Sequence, residues 1–194
     1  MSQELLARLL QQRSQARIIR YDEQSVPQTT MGDLAPELWT RFKTPRTQDV
    51  PEEMLQKLGM LTRDEDGTLR PTIAGVLMAS HTPERWLSNA FIQAVAYVGT
   101  DVIPSSPGAV YQLDAKDITG PLDYQVIEAC RFVARNSTTA AAKDQGRLDM
   151  PQYDMTAVFE AIVNAVAHRD YSIHGSKVRL RLFADRLEIY SPGA

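Results

Sequence analysis

The chain has 194 residues, 43% hydrophobic and 23% charged, with a formal net charge of −3, an ordinary globular composition with enough length for one sizeable domain and an accessory segment. The slight negative charge excludes a bulk electrostatic hold on nucleic acid, so any such contact would need a local patch. The single cysteine, Cys130, excludes an internal disulfide and a cysteine metal cluster; no run of about 18 apolar residues spans a membrane; and MSQELLARLLQQR does not read as a signal peptide, so a cytoplasmic protein is expected.

In chain order, Gln3 to Gln12 reads as an amphipathic helix with Leu5, Leu6, Leu9 and Leu10 on one stripe. It is too short to persist alone and must dock, on its own domain or on a second copy. Ala16 to Tyr21 reads as a short strand, and Asp22 to Thr30, with Pro27, as a linker. Asp33 is the expected cap of a helix over Leu34 to Phe42, which ends before Pro45. A second short helix is expected from Pro51 to Leu58, with Glu52 and Glu53 in its first turn and Gly59 ending it.

Leu61 to Leu69 reads as two strand ends around an Asp66-Gly67 turn, and Thr72 to Ala79 as a helix. Helix, helix, turn, helix is loosely the order of a winged DNA-binding unit. Asp64, Glu65 and Asp66 at the would-be wing argue against it, because they repel phosphate. Phe91 to Val98 is an apolar strand expected at the centre of a sheet. After a loop with Pro104 and Pro107, Tyr111 to Asp114 reads as a short strand. Leu122 to Arg135 reads as a helix with Ile127, Cys130, Phe132 and Val133 inward, Cys130 serving as a small core residue. Asn136 to Gly146 is small and polar and reads as a mobile loop.

The most informative stretch runs from Thr156 to Ala194. Val158, Phe159, Ile162, Val163 and Val166 recur at helical steps, and Glu160, Asn164 and His168 are set four apart on one face. A helix this apolar is expected to be mostly buried, and its polar line either finds partners in loops and strands or lines a polar cleft. Lys177 to Phe183 alternates, with Val178, Leu180 and Leu182 on one face and Lys177, Arg179 and Arg181 on the other. Leu187 to Tyr190 is a second strand, ended by Ser191-Pro192-Gly193. The strand residues Val178, Leu180, Leu182, Leu187 and Ile189 are expected to lie under the helix in one buried layer.

EAIVNAVAHRDYSIHG followed by RLFADRLEIYSPG resembles the signature of the bacterial RecG-related ATP-dependent DNA helicase and transcriptional regulator family. GDLAPELWTRF, LQKLGML and LRPTIAGVLMASHTPERWLSNAFIQAVAYVG are similar to that family's connecting region. The resemblance implies an α+β fold, with helices packed on one face of a largely antiparallel sheet. That fold would be part of the ATPase shared by gyrase, MutL, histidine kinases and the heat-shock chaperone. It divides the chain into an N-terminal helix and linker (1–30), a connecting region (31–150) and the first half of the ATPase-like domain (151–194).

By the same resemblance ATP and Mg²⁺ are the expected cofactors. Glu160 takes the catalytic position that orients or deprotonates the attacking water, and Asn164 is the Mg²⁺ ligand. His168 and Gly193 fall at the nucleotide-binding end. The types suit the chemistry, since Mg²⁺ takes hard oxygen ligands shared with phosphate and a general base must reach its water. Two departures stand beside the likeness. Ser191-Pro192-Gly193 replaces the Asp-x-Gly-x-Gly loop whose Asp reads adenine, and the later glycine-rich lid is not in this sequence. Negligible turnover is therefore expected of this chain alone.

The family implies DNA as a partner through an upstream Schlafen/AlbA-like domain not present in this sequence. The expected function is a nucleotide-binding regulatory module of a DNA-associated protein or transcriptional regulator. The alternative is a non-catalytic interaction or oligomerisation module with a degenerate nucleotide site, self-associating as a homo-oligomer. Other motifs carry less. His168-Arg169-Asp170 matches a kinase catalytic loop without the other kinase motifs, no P-loop exists, and His168, His174 and Asp170 lack metal-ligand spacing.

Overall fold

The structure, a computed structural model, describes residues 21–45, 47–103, 110–143 and 152–193. The helix expected over Gln3 to Gln12, and most of the strand expected over Ala16 to Tyr21, lie outside the described residues. The chain divides into two compact units, Met1–His81 and Thr82–Ala194.

The first unit is a small helical cluster with one hairpin. A 3₁₀ turn over Tyr21–Glu23 is followed by a second over Met31–Asp33. Asp33 does not cap a long helix. Its carboxylate accepts from the Thr30 backbone N–H at 2.8 Å and closes a capping box on the 3₁₀ turn. Helix α1 is only Pro36–Trp39, continued by a 3₁₀ turn over Thr40–Phe42. Helix α2, Pro51–Lys57, has Pro at its start and the acidic first turn the sequence indicates; Gly59 leaves it at φ +70°.

Strands β1 (Leu61–Arg63) and β2 (Leu69–Pro71) pair antiparallel around Gly67 at φ +82°. Arg70 bridges Asp64 and Asp66 across this turn at 3.0 and 3.3 Å, so the acids at the would-be wing are tied to the hairpin itself. Helix α3, Ile73–Ala79, starts where Thr72 accepts from the Gly75 N–H through its hydroxyl. Leu34, Trp39, Met54, Leu55, Met60, Leu61 and Ala79 form the core of this unit.

The second unit is a four-stranded sheet with two helices on one face. Its strands are β3 (Ile92–Tyr97), β4 (Gln112–Ile118), β5 (Val178–Leu182) and β6 (Leu187–Tyr190), in the order β4-β3-β5-β6. The outer pairings are antiparallel, but β3 and β5 run parallel, Ile92 opposite Val178 and Ala96 opposite Leu182. The sheet is therefore mixed rather than purely antiparallel. A parallel central pair needs a long crossover. Helices α4 (Leu122–Lys143) and α5 (Met155–Ala167) fill it.

Helix α4 continues through Asn136 to Lys143, where the sequence suggests a loop. Asn136 donates to the Phe132 carbonyl at 2.9 Å and to Asp114 at 3.1 Å, which ties this turn to β4, and the alanines that follow are strong helix formers. Ile127 is 45% exposed; Val126, Ala129, Phe132 and Val133 face the sheet instead. The start of α4 is pinned by buried Gln125, which donates to the Ala90 and Gly120 carbonyls at 2.8 and 2.6 Å.

On the helix-bearing face Ile92, Ala94, Ala96, Val178, Leu180 and Leu182 meet Val158, Ile162, Ala165 and Val166 of α5 in one core. Leu180 and Ile162 are each 1% exposed, so the layer expected from the alternation is the one observed. Phe159, expected in that layer, is 47% exposed. It falls about 100° from Val158 around the helix, on the rim of the buried stripe. Among the described residues no helix is long and apolar enough to cross a membrane.

Candidate functional site

Helix α5 begins at Asp154, whose carboxylate accepts from the Thr156 N–H at 2.8 Å, and ends at His168, whose N–H donates to the Asn164 carbonyl. It buries one stripe and leaves the other open, which corrects the expectation of a mostly buried helix. Glu160, Asn164 and His168 are all exposed. Four-residue steps carry them slowly around the axis, about 5–6 Å apart. Their side chains make no hydrogen bond or ion pair among the described residues. Ala157 and Ala161, also exposed, lie on the same side of the helix and leave its backbone open to approach.

The C-terminal end of the helix is built as a small scaffold. Ser191 donates its hydroxyl to the Ala165 carbonyl at 2.7 Å, which seats the loop after β6 on the last turn of α5. The Asp170 N–H donates to the Pro192 carbonyl at 2.9 Å. Gly193, at φ +87°, lies against Asp170: a Cβ at position 193 would fall 2.4 Å from the Asp170 Cβ. Glycine is required there on two counts, the left-handed backbone and the close approach. The structure thus places Gly193 beside the loop that follows His168, at the same end of α5.

Asp170 in turn holds its own loop, accepting from the Ser172 N–H and hydroxyl. These bonds hold its carboxyl below the ordinary range, because they favour the charged form. Arg169 is 7% exposed, donates Nη2 to the Ser176 carbonyl at 2.8 Å and lies 4.4 Å over the Tyr171 ring. Burial lowers its pKa, while its Nε has no hydrogen-bond partner among the described residues. Tyr171 donates to the Val166 carbonyl at 3.2 Å, and burial raises its hydroxyl pKa. Asn89 donates to the His174 carbonyl. The loop after α5 is therefore held by bonds from Arg169, Asp170, Tyr171 and Asn89.

The sequence indicates that Arg169 and Asp170 fix this loop and that Tyr171 packs; they do so through Ser176, Ser172 and Val166. Ser191 is the residue that sequence reasoning did not single out as shaping this end. For the Asp170 turn, the Asp-x-Ser spacing with Ser172 was the available signal, since Asp side chains commonly accept from the backbone two residues on. No group of three or more His, Cys, Asp or Glu side chains able to hold a metal occurs among the described residues. What the arrangement offers is one carboxylate, one amide and one imidazole, open and in line, ending at a glycine turn.

The fold is α+β, two helices over one face of a mixed sheet. No protein-family model, curated protein or solved structure matches the chain significantly.

Proposed function

We propose that this chain is a nucleotide-binding regulatory module of a RecG-related, DNA-associated protein or transcriptional regulator, built on part of a gyrase-type ATPase fold, with α5 as its phosphate-facing helix. The observation that carries this reading is the open polar line: Glu160, Asn164 and His168 are exposed together and unpaired among the described residues. Polar side chains recruited for packing would be enclosed and bonded to their surroundings.

The donor set fits Mg²⁺ held with phosphate. Mg²⁺ keeps several waters and takes only one or two protein ligands, so an all-protein cage is not required. The Asn164 amide oxygen would be the protein ligand. Bound there, the ion would neutralise phosphate charge. Glu160, one turn earlier, would accept a hydrogen bond from a water on the same side. His168 and Gly193 would border the nucleotide at the far end, where the Ser191-Pro192-Gly193 turn is held by Ala165 and Asp170.

A thermal melt of the chain with and without ATP and Mg²⁺ tests the reading. A ligand present at 100 times its Kd adds about 2.7 kcal/mol, a rise in Tm of several degrees. No rise at millimolar Mg²⁺–ATP removes the proposal. A second reading, a non-catalytic interaction or oligomerisation module, draws on Phe159, a large apolar side chain left 47% exposed on the same helix. Self-association abolished by Phe159→Ser, with no effect of ATP, would favour it.

A further inference from the structure

The face of the sheet turned away from α4 and α5 has its own composition. Alternation sends Gln93, Val95 and Tyr97 of β3, and Arg179 and Arg181 of β5, to this side, followed by Phe183 just beyond the strand. Register sets them in rows. Asp117, Gln93, Arg179 and Tyr190 form one row; Ala115, Val95, Arg181 and Glu188 form the next. Lys177 lies over the Phe91 ring at 4.7 Å at one end. At the other end Tyr97 stacks on Phe183 at 4.9 Å and 10°, and on Tyr111 at 6.4 Å. Within this unit, α4 and α5 are the helices that pack on the sheet, both on the opposite side.

Charge on this face is unequal. Glu188 already accepts from Arg186 Nε at 2.7 Å, and Arg186 also pairs with Asp185. Asp117 sits on the edge strand, within reach of the Gln93 amide at 3.4 Å. Lys177, Arg179 and Arg181 make no ion pair among the described residues, although Arg179 stands over the exposed Tyr190 ring at 5.7 Å. Three cations outside any ion pair among the described residues thus follow one another, Lys177 just before β5 and Arg179 and Arg181 on it, the last two about 6–7 Å apart. Rings flank them: Tyr190 is 51% exposed and Tyr111 40%.

We propose that this sheet face, opposite α4 and α5, binds single-stranded nucleic acid, with Arg179, Arg181 and Lys177 on the phosphates and Tyr190 and the Tyr97–Tyr111 stack as platforms for bases. Cations that track a backbone beside rings that accept base faces are the two components such recognition needs. A duplex hides its base faces and leaves the rings without a role, so the single strand is the ligand. This is the local patch that a chain of net charge −3 would require. The inference does not rest on the nucleotide reading, because α5 lies on the other side of the sheet.

Fluorescence anisotropy of the 194-residue chain with labelled oligothymidylate and oligouridylate of about twenty nucleotides, beside a duplex of the same length, tests it. Both single strands should bind at about 50 mM salt, with affinity falling steeply toward 200 mM. Tighter binding of the uridylate would assign contacts to the 2′-hydroxyls. Arg179→Gln with Arg181→Gln should weaken binding at least about tenfold and flatten the salt slope by roughly 0.7 per arginine. Tyr190→Ala should weaken it at least about fivefold, the loss of one stacked base. The Mg²⁺–ATP response of the melt should be the same in these variants as in the parent. Absence of binding to either strand, equal affinity for the duplex, or an unchanged double variant overturns the proposal. Photocrosslinking of the unaltered chain to a thiouridine-substituted strand is independent of variant folding: adducts on Tyr97, Tyr111 or Tyr190 are expected, and adducts confined to other residues overturn it.

Discussion

Gly193 and Asp170 pack so closely that no side chain fits between them: a Cβ at 193 would lie 2.4 Å from the Asp170 Cβ. The contact closes the loop after β6 onto the loop after α5, reinforced by the bond from the Asp170 N–H to the Pro192 carbonyl. Gly193→Ala must both adopt φ +87° and displace Asp170. The expected outcome is local: the Asp170 amide loses its protection in hydrogen exchange, while the amides of β5 keep theirs. Unchanged protection at Asp170 would show that the contact tolerates a methyl group.

Gly75 makes the corresponding point in the first unit. A Cβ there would meet the Met60 carbonyl oxygen at 2.2 Å, and that oxygen is held by the Thr72 N–H at 3.0 Å. Alanine in a helix interior ordinarily gains about 1 kcal/mol over glycine. Here the overlap is with fixed backbone in a packed core, and overpacking costs about 1–3 kcal/mol. Gly75→Ala is expected to destabilise this unit, read as a lower midpoint in urea. A rise in the midpoint would mean that the hairpin yields at little cost.

The Asp114 carboxylate accepts from Arg135 Nη2 at 2.6 Å and from Asn136 at 3.1 Å, joining edge strand β4 to α4. Arg135 first, then Asn136, holds its carboxyl below the ordinary value against the opposing effect of burial. A depressed carboxyl contributes stability in full above its unfolded pKa of about 3.9 and loses it as pH falls through the lower folded value. The pair is half open to solvent, so the contribution is that of a surface pair, about 1 kcal/mol or less. Asp114→Asn should lower Tm at pH 7 and converge with the parent in strong acid. Parallel Tm curves across that range would contradict the assignment.

Local pattern was legible wherever one face of an element decides burial. The alternation of Val178, Leu180 and Leu182, the apolar run of β3, the Asp66-Gly67 turn and the helix that ends at Ala79 all stand as the sequence indicates. Long-range facts were not. The parallel pairing of β3 with β5 joins residues more than eighty positions apart, and nothing in either strand encodes a partner. The extension of α4 past Arg135 depends on Asp114, a contact from another element. Phe159 and Ile127 match a generous helical stripe but fall on its rim, where exposure is set by the width of the sheet beneath. At the candidate site the residue types and spacing were readable in Glu160, Asn164 and His168. Their exposure was not, because the apolar residues between them suggested a buried helix.

The polar line yields the last prediction. The Asn164 side chain is exposed and bonded to nothing among the described residues, so Asn164→Ala removes no structural partner. Alanine is also the better helix former by a few tenths of a kcal/mol. Surface changes of this kind usually fall within about 0.5 kcal/mol, so the melting temperature of the free chain should be unchanged or slightly raised. Any stabilisation by Mg²⁺–ATP should be lost in the same variant, because Asn164 supplies the oxygen that the ion would share with phosphate. Glu160→Gln separates the two roles on the helix. It keeps the shape and a hydrogen-bonding oxygen but cannot take up a proton, so nucleotide stabilisation should persist. A structural role would reverse the pattern: Asn164→Ala would lower the melting temperature of the free chain by several degrees and leave the response to Mg²⁺–ATP intact. Paired melts of the parent, Asn164→Ala and Glu160→Gln, each with and without Mg²⁺–ATP, distinguish the two outcomes.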